Sequence, residues 1–128
     1  MVYIMLSIAY RRTQNYEEAL KVLTKAIAKH PKFAEAFAAR GQIYLFLKKW
    51  DKAFIDFRTV LQVSKNNGLG LLGQGDALKG IGNYQGALSS YSDAIEVDKE
   101  SRKQAYMKRG ILYLQIGQTN KQGDDEYK

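Results

Sequence analysis

The sequence predicts an all-α fold, a solenoid of stacked antiparallel helix pairs, and three observations predict it. The first is a period. Trp50, Ala53, Phe54, Phe57, Val60 and Leu61 have counterparts 34 residues earlier in Tyr16, Ala19, Leu20, Leu23, Ala26 and Ile27. They have others 34 residues later in Tyr84, Ala87, Leu88, Tyr91, Ala94 and Ile95. The stretches before them repeat too: Tyr3, Phe37, Leu71 and Tyr106; Ser7, Gly41, Gly75 and Gly110; Tyr10, Tyr44, Leu78 and Tyr113, with one inserted residue before the fourth copy. A fixed period of this length marks a stacked helical repeat. The second observation is spacing, since each set of apolar residues falls on one stripe of a 3.6-residue helix. The third is punctuation. Short polar elbows at Arg12–Asn15, Lys48-Lys49, Gly82-Asn83 and Gly117-Gln118 divide each unit into two helices.

Taken in order, the units span residues 1–33, 34–67, 68–101 and 102–128, the last of them truncated. The first unit is helical from its start, with no Ser, Thr, Asp or Asn ahead of Tyr3 as a cap. In the second, Ala53 and Gly41 are small where two helix backbones approach, and Phe57 fills the space toward the next unit. Ala19, Ala87, Gly75 and Gly110 do the same steric work elsewhere, beside Leu23 and Tyr91. The third unit's first helix contains Gly70, Gly73, Gly75 and Gly80, each costing up to ~1 kcal/mol relative to alanine. It is expected to be the least stable helix, with close backbone contacts as the compensation. The fourth unit turns at Gly117-Gln118 and enters a second helix of roughly two turns through Gly123-x3-Tyr127. Neither end has the polar capping helix that a free solenoid needs, so the chain reads as a segment excised from a larger protein.

These residues resemble the tetratricopeptide repeat pattern, W-x2-L-G-x2-Y, then A-x3-F, then P. Gly41-x2-Tyr44 and Gly110-x2-Tyr113 match its first part, with Phe37 and Tyr106 in the Trp place. Ala53-x3-Phe57 and Ala87-x3-Tyr91 match its second, and Pro31 closes the first unit. Arg40, Gln74 and Arg109 depart from the Leu, Lys65 and Lys99 from the closing Pro, and Ser7 from the Gly. The resemblance covers nearly the whole chain and implies a right-handed α-solenoid whose first helices line a concave, ligand-binding groove.

Composition narrows the function. At 128 residues with 45% hydrophobic content the chain can bury a continuous core as a single domain. It lacks the ~18 unbroken apolar residues of a membrane span. No cysteine is present, which suits a reducing, cytoplasmic setting and excludes thiolate chemistry. Net charge is +7, distributed as +4, +3, −3 and +3 over the four units. That acidic break interrupts the basic stripe that a phosphate-tracking protein would present.

Gly68-Leu69-Gly70-Leu71-Leu72-Gly73 is a literal G-x-G-x-x-G, with Asp93 further on. A dinucleotide site needs a strand before this motif and a parallel sheet around it. The register instead places Thr59–Val63 at a helix end and Leu71, Gly75 and Leu78 within a helix. His30, the lone histidine, precedes Pro31 at a helix end and lacks metal-ligand or triad partners. Interaction with the helix C-terminus is its expected role. Glu17-Glu18 and Asp124-Asp125 are adjacent and point to different helix faces. No catalytic residue, metal site or cofactor is expected.

The resemblance assigns the groove. Ile4, Met5, Ile8 and Arg12 come from the first unit, and Ala38, Ala39, Gln42, Leu45 and Phe46 from the second. Leu69, Leu72, Gly73, Asp76 and Lys79 follow from the third, and Met107, Lys108, Ile111 and Leu114 from the fourth. Gly73 and Gly80 would leave the wall there nearly bare backbone. Where chaperone-binding members carry a carboxylate clamp, this chain has Ile4, Ile8, Ala39, Leu69 and Gly73, so a C-terminal chaperone tail is not the expected ligand. An apolar lining rich in Leu and Met suits an amphipathic helix, an extended peptide or another repeat surface. The expected function is a non-catalytic protein-binding scaffold. The alternatives are a basic RNA-binding repeat, for which Arg11-Arg12 and Lys48-Lys49 speak, and a structural segment that self-associates through its uncapped ends.

Overall fold

A computed structural model describes residues 15–123. Six helices follow one another: α1 (Tyr16–Lys29), α2 (Ala34–Phe46), α3 (Trp50–Val63), α4 (Gly68–Ile81), α5 (Tyr84–Ile95) and α6 (Lys99–Gly123). Each packs on the next, and α4 also touches both α2 and α6, so the first helices of successive units lie side by side. This is an all-α helical repeat solenoid. The expected helix at Tyr3–Arg12, with Ile4, Met5 and Ile8, lies outside the described residues, as does Tyr127. No helix among the described residues is long and apolar enough to cross a membrane.

The repeat register becomes packing through rings seated on glycines. Ala19, Ala53 and Ala87 are fully buried, where neighbouring helices come close. At Gly41, an added Cβ would stand 2.9 Å from the Phe57 ring. At Gly75 it would run into Tyr91 in the same way, and at Gly73 into the other edge of Phe57. Phe57 is fully buried and is therefore held between α2 and α4. The glycines of α4 give up helix propensity, and the rings that they admit supply dense van der Waals contact in return.

Two elbows form as expected. Lys48 and Gly82, one period apart, both take left-handed backbone conformations, with φ of 59° and 98°. The following amide then closes the helix: Lys49 N–H donates to the Tyr44 carbonyl at 2.8 Å, and Asn83 N–H to that of Leu78 at 2.9 Å. Glycine occupies this conformation without the Cβ clash that a lysine suffers. Lys48→Gly is therefore expected to raise stability by about 0.5–1 kcal/mol, read as a higher urea midpoint. A lower midpoint would show that the lysine stem matters more than its backbone strain.

The fourth expected elbow, at Gly117-Gln118, does not form, and the first, Arg12–Asn15, lies mostly outside the described residues. α6 runs unbroken through Gly117 and Gln118 to Gly123. After Asn83 the chain reaches an apolar stripe, Tyr84, Ala87, Leu88 and Tyr91, whose burial stabilises the reversal. After Gly117 it reads Gln-Thr-Asn-Lys-Gln, with nothing apolar to dock. A turn there would give up helical hydrogen bonds with no apolar side chain among residues 118–122 to bury in return.

Side chains start three of the helices. Asn67 Oδ1 accepts from Gly70 N–H at 2.9 Å, and Asn83 Oδ1 from Gly86 N–H at 2.9 Å. Asp98 accepts the Ser101 N–H at 2.7 Å at the head of α6. All three satisfy amides that the first turn leaves open.

Candidate functional site: the groove along the first helices

Residues 68–73 are the first turns of α4, with no strand among the described residues. Their glycines face side chains. A Cβ on Gly68 would meet Ser101, and one on Gly70 would meet Val60 and Leu61. The motif is therefore a helix-packing feature. His30 caps α1, its backbone N–H donating to the Ala26 carbonyl at 2.9 Å, and its ring stands edge-on to Phe33.

A cleft of about 590 Å³ opens across the first helices, lined by Leu45, Trp50, Asp76, Lys79, Gly80, Tyr84, Lys108 and Gln115. Leu45, Asp76, Lys79 and Lys108 are among the residues that the sequence placed in the groove. Gln42 is half-buried on α2. Phe46 is exposed and stacks on Tyr16, with ring centres 5.8 Å apart. Met107 and Ile111 are exposed on α6.

Other expected positions lie in the core. Leu72 is only 3% exposed, packed in the cluster of Leu71, Ala87, Tyr91 and Leu112. Ala38 is buried with Phe57 and Ala77. The bare backbone expected at Gly73 and Gly80 is not bare. The Phe57 ring occupies the space beside Gly73, and the Trp50 indole that beside Gly80. Both rings come from α3 and cross to the next unit.

Polar order in the cleft centres on Asp76. It accepts the Tyr91 hydroxyl at 2.6 Å and the Lys108 ammonium at 2.9 Å, tying α4, α5 and α6 together. Burial of Tyr91, reinforced by the Asp76 carboxylate beside it, pushes the phenol far above its usual pKa, so it remains a donor throughout the working pH range.

A second polar pair was not expected. Arg40 donates from Nε and Nη2 to the two oxygens of Asp56 at 2.9 and 2.8 Å. Burial pushes the Asp56 carboxyl above its usual value, while the guanidinium fork pulls against that shift. Trp50 and Tyr84 as cleft walls were missed as well. The signal for the Arg40 pair was available: 40 and 56 have the same spacing as Gly41 and Phe57. Among the described residues, no group of three His, Cys, Asp or Glu side chains could hold a metal ion.

Helix pairs repeated in register, with rings seated on glycines and a cleft along the first helices, define an α-helical repeat protein. The chain belongs to the tetratricopeptide repeat family, whose model matches residues 4–67 and 72–124. Among curated proteins it is similar to Hsc70-interacting protein 1 of Drosophila melanogaster, 28% identical over 95 residues, which are 74% of this chain and 25% of that protein. The chain spans a quarter or less of the length of the curated relatives it matches. Among solved structures, the first repeat domain of human RPAP3 superposes with a TM-score of 0.83 at 18% identity, covering 91% of each chain. The first repeat domain of Spaghetti (RPAP3), bound to an HSP90 peptide, gives 0.81 at 18% identity, again over 91% of each chain. At such identity the likeness is one of fold.

Proposed function

We propose that the chain is a non-catalytic scaffold that binds another protein in the groove along α2, α4 and α6. The observation that carries this reading is the cleft itself, where Leu45, Trp50 and Tyr84 supply apolar wall and Lys79, Lys108 and Asp76 supply polar edges. Such a lining takes the apolar face of a helix or the alternate side chains of an extended peptide. Peptide-bound relatives of the same fold support a protein ligand. Their HSP90 peptide is a poor guide to its identity, since Ala39, Leu69 and Gly73 offer no cation or amide at the positions of a carboxylate clamp. Phe57 also covers the space beside Gly73.

Leu45→Asp is expected to abolish capture of the partner from nuclease-treated lysate while helicity stays unchanged. Ile55→Asp, on an exposed position of α3 outside the cleft, is the control and should capture normally. Retention by Leu45→Asp would contradict the groove. Loss of all capture on nuclease treatment would turn the reading toward RNA.

A further inference from the structure

On the reading that the groove holds a partner segment, we propose that this segment is acidic at one end, its carboxylates leaving the groove over the α2–α3 elbow to settle on Lys48, Lys49 and Lys52. A second cleft of about 590 Å³ opens at this elbow, with the three lysines, Trp50 and Ile81 in its walls. It shares Trp50 and Gly80 with the groove cleft, so the two run together past the indole. Its walls come from the second and third units, which the structure describes throughout.

The lysines are costly where they stand. Lys49 is at the head of α3, where an ammonium cannot accept the open amides as Asn83 does one period later. Lys48 holds the left-handed backbone that Gly82 takes without strain. Lys52 puts a cation into the first turn, against the helix dipole, where Glu18 stands one period earlier. Three local costs at one elbow mark a functional surface.

Charge sets the occupant. Lys79 adds a fourth cation from the groove side of Trp50. Among the described residues none of the four is in an ion pair, and Asp51 is the one carboxylate in the wall of the elbow cleft. Lys52 is held with its ammonium 5.7 Å from the centre of the Tyr44 ring. Lys108, by contrast, is already bound by Asp76 at 2.9 Å, so the uncompensated charge gathers at the elbow. A segment that lays apolar side chains against Leu45, Trp50 and Tyr84 and carries Asp or Glu beyond them matches both clefts at once. These cations stand apart from the carboxylate-clamp positions Ala39, Leu69 and Gly73, so the acidic stretch needs no free C-terminus. A phosphate backbone fits less well, because the third unit, which supplies the opposite wall, is net acidic.

The test is selection from a displayed library of random peptides on four forms of the whole chain. These are the parent, the elbow variant Lys48→Gln, Lys49→Gln, Lys52→Gln, the remote variant Lys25→Gln, Lys32→Gln, Lys103→Gln, and Leu45→Asp. The remote variant loses the same charge from exposed positions outside both clefts. Peptides enriched on the parent should join an apolar stretch to a cluster of Asp and Glu. One of them, synthesised, should bind the elbow variant about tenfold more weakly, a few-fold per lysine, and the remote variant as tightly as the parent. Leu45→Asp should enrich none of them. Apolar peptides without the acidic cluster would overturn the acidic end and leave the groove standing. Equal weakening by the elbow and remote variants would reduce the effect to general attraction to a chain of net charge +7 and overturn it too. So would tighter binding of an oligouridylate than of any selected peptide, lost in the elbow variant, which would assign the cleft to RNA. No enrichment on the parent, or the same peptides retained by Leu45→Asp, would sink the groove reading and the acidic end together.

Discussion

Phe57→Ala is expected to destabilise the chain by about 3–5 kcal/mol, a large share of the ~5–15 kcal/mol that holds a typical domain together. Phe57 is fully buried and its ring fills the sockets at both Gly41 and Gly73. Alanine would leave a cavity with bare helix backbone on two sides, and those backbones belong to different units. The walls cannot close onto the void without breaking the repeat spacing, which places the loss toward the upper end of that range. Phe46→Ala is the internal comparison, since Phe46 is mostly exposed and stacks face to face on Tyr16. It should cost under about 1 kcal/mol. Urea unfolding followed by circular dichroism measures both. Similar losses for the two variants would show that ring-on-glycine contacts do not hold successive units together.

Arg40→Met is expected to rival it, at about 3–5 kcal/mol, because it leaves a buried carboxylate without its partner. The Asp56 side chain is 2% exposed and that of Arg40 is 19% exposed, so the two halves of the pair are not equivalent. Asp56→Asn keeps an acceptor for a guanidinium that still reaches water, and should cost about 1–3 kcal/mol.

The two variants also differ with pH. Burial already raises the Asp56 carboxyl, and Arg40 supplies the opposing pull. Without Arg40 the folded value rises further above the unfolded one. A carboxyl raised in the fold destabilises at pH above its folded value, and protonation relieves that penalty as pH falls through it. The deficit of Arg40→Met against the parent should therefore be largest near neutrality and shrink on acidification, whereas Asp56→Asn has no such group to titrate. Urea midpoints at neutral and mildly acidic pH read this directly. A deficit independent of pH would mean that Asp56 is not held as an isolated charge in the variant.

The sequence made the helices legible because one period fixed both their faces and their joints. Ala19, Ala53 and Ala87 are buried where the register put them, and the chain reverses at Lys48 and Gly82. What the register could not show was contact between one unit and the next. Gly73 and Gly80 were read as open wall, yet Phe57 and Trp50 cross from α3 to cover them. Leu72 sits at a groove position by count but turns into the core beside Tyr91. The expected turn at Gly117 failed for an energetic reason: a glycine permits a reversal, and only an apolar stripe beyond it makes the reversal favourable. Arg40 was recognised as a departure from the repeat pattern, but its counter-charge sixteen residues on was not sought. Of the groove, the charged residues Asp76, Lys79 and Lys108 were readable. The aromatic walls Trp50 and Tyr84 were not, because they begin second helices and were assigned to packing.

The most direct measurement is site-specific photocrosslinking, with a benzophenone side chain placed at position 45 or at position 55 and exposed to nuclease-treated lysate of the source cells. Binding in the groove predicts a discrete protein adduct from position 45 and none from position 55, lost from position 45 when Lys79 is changed to Glu. An adduct from position 55 alone, or the same adducts from both positions, would contradict a partner held along α2, α4 and α6.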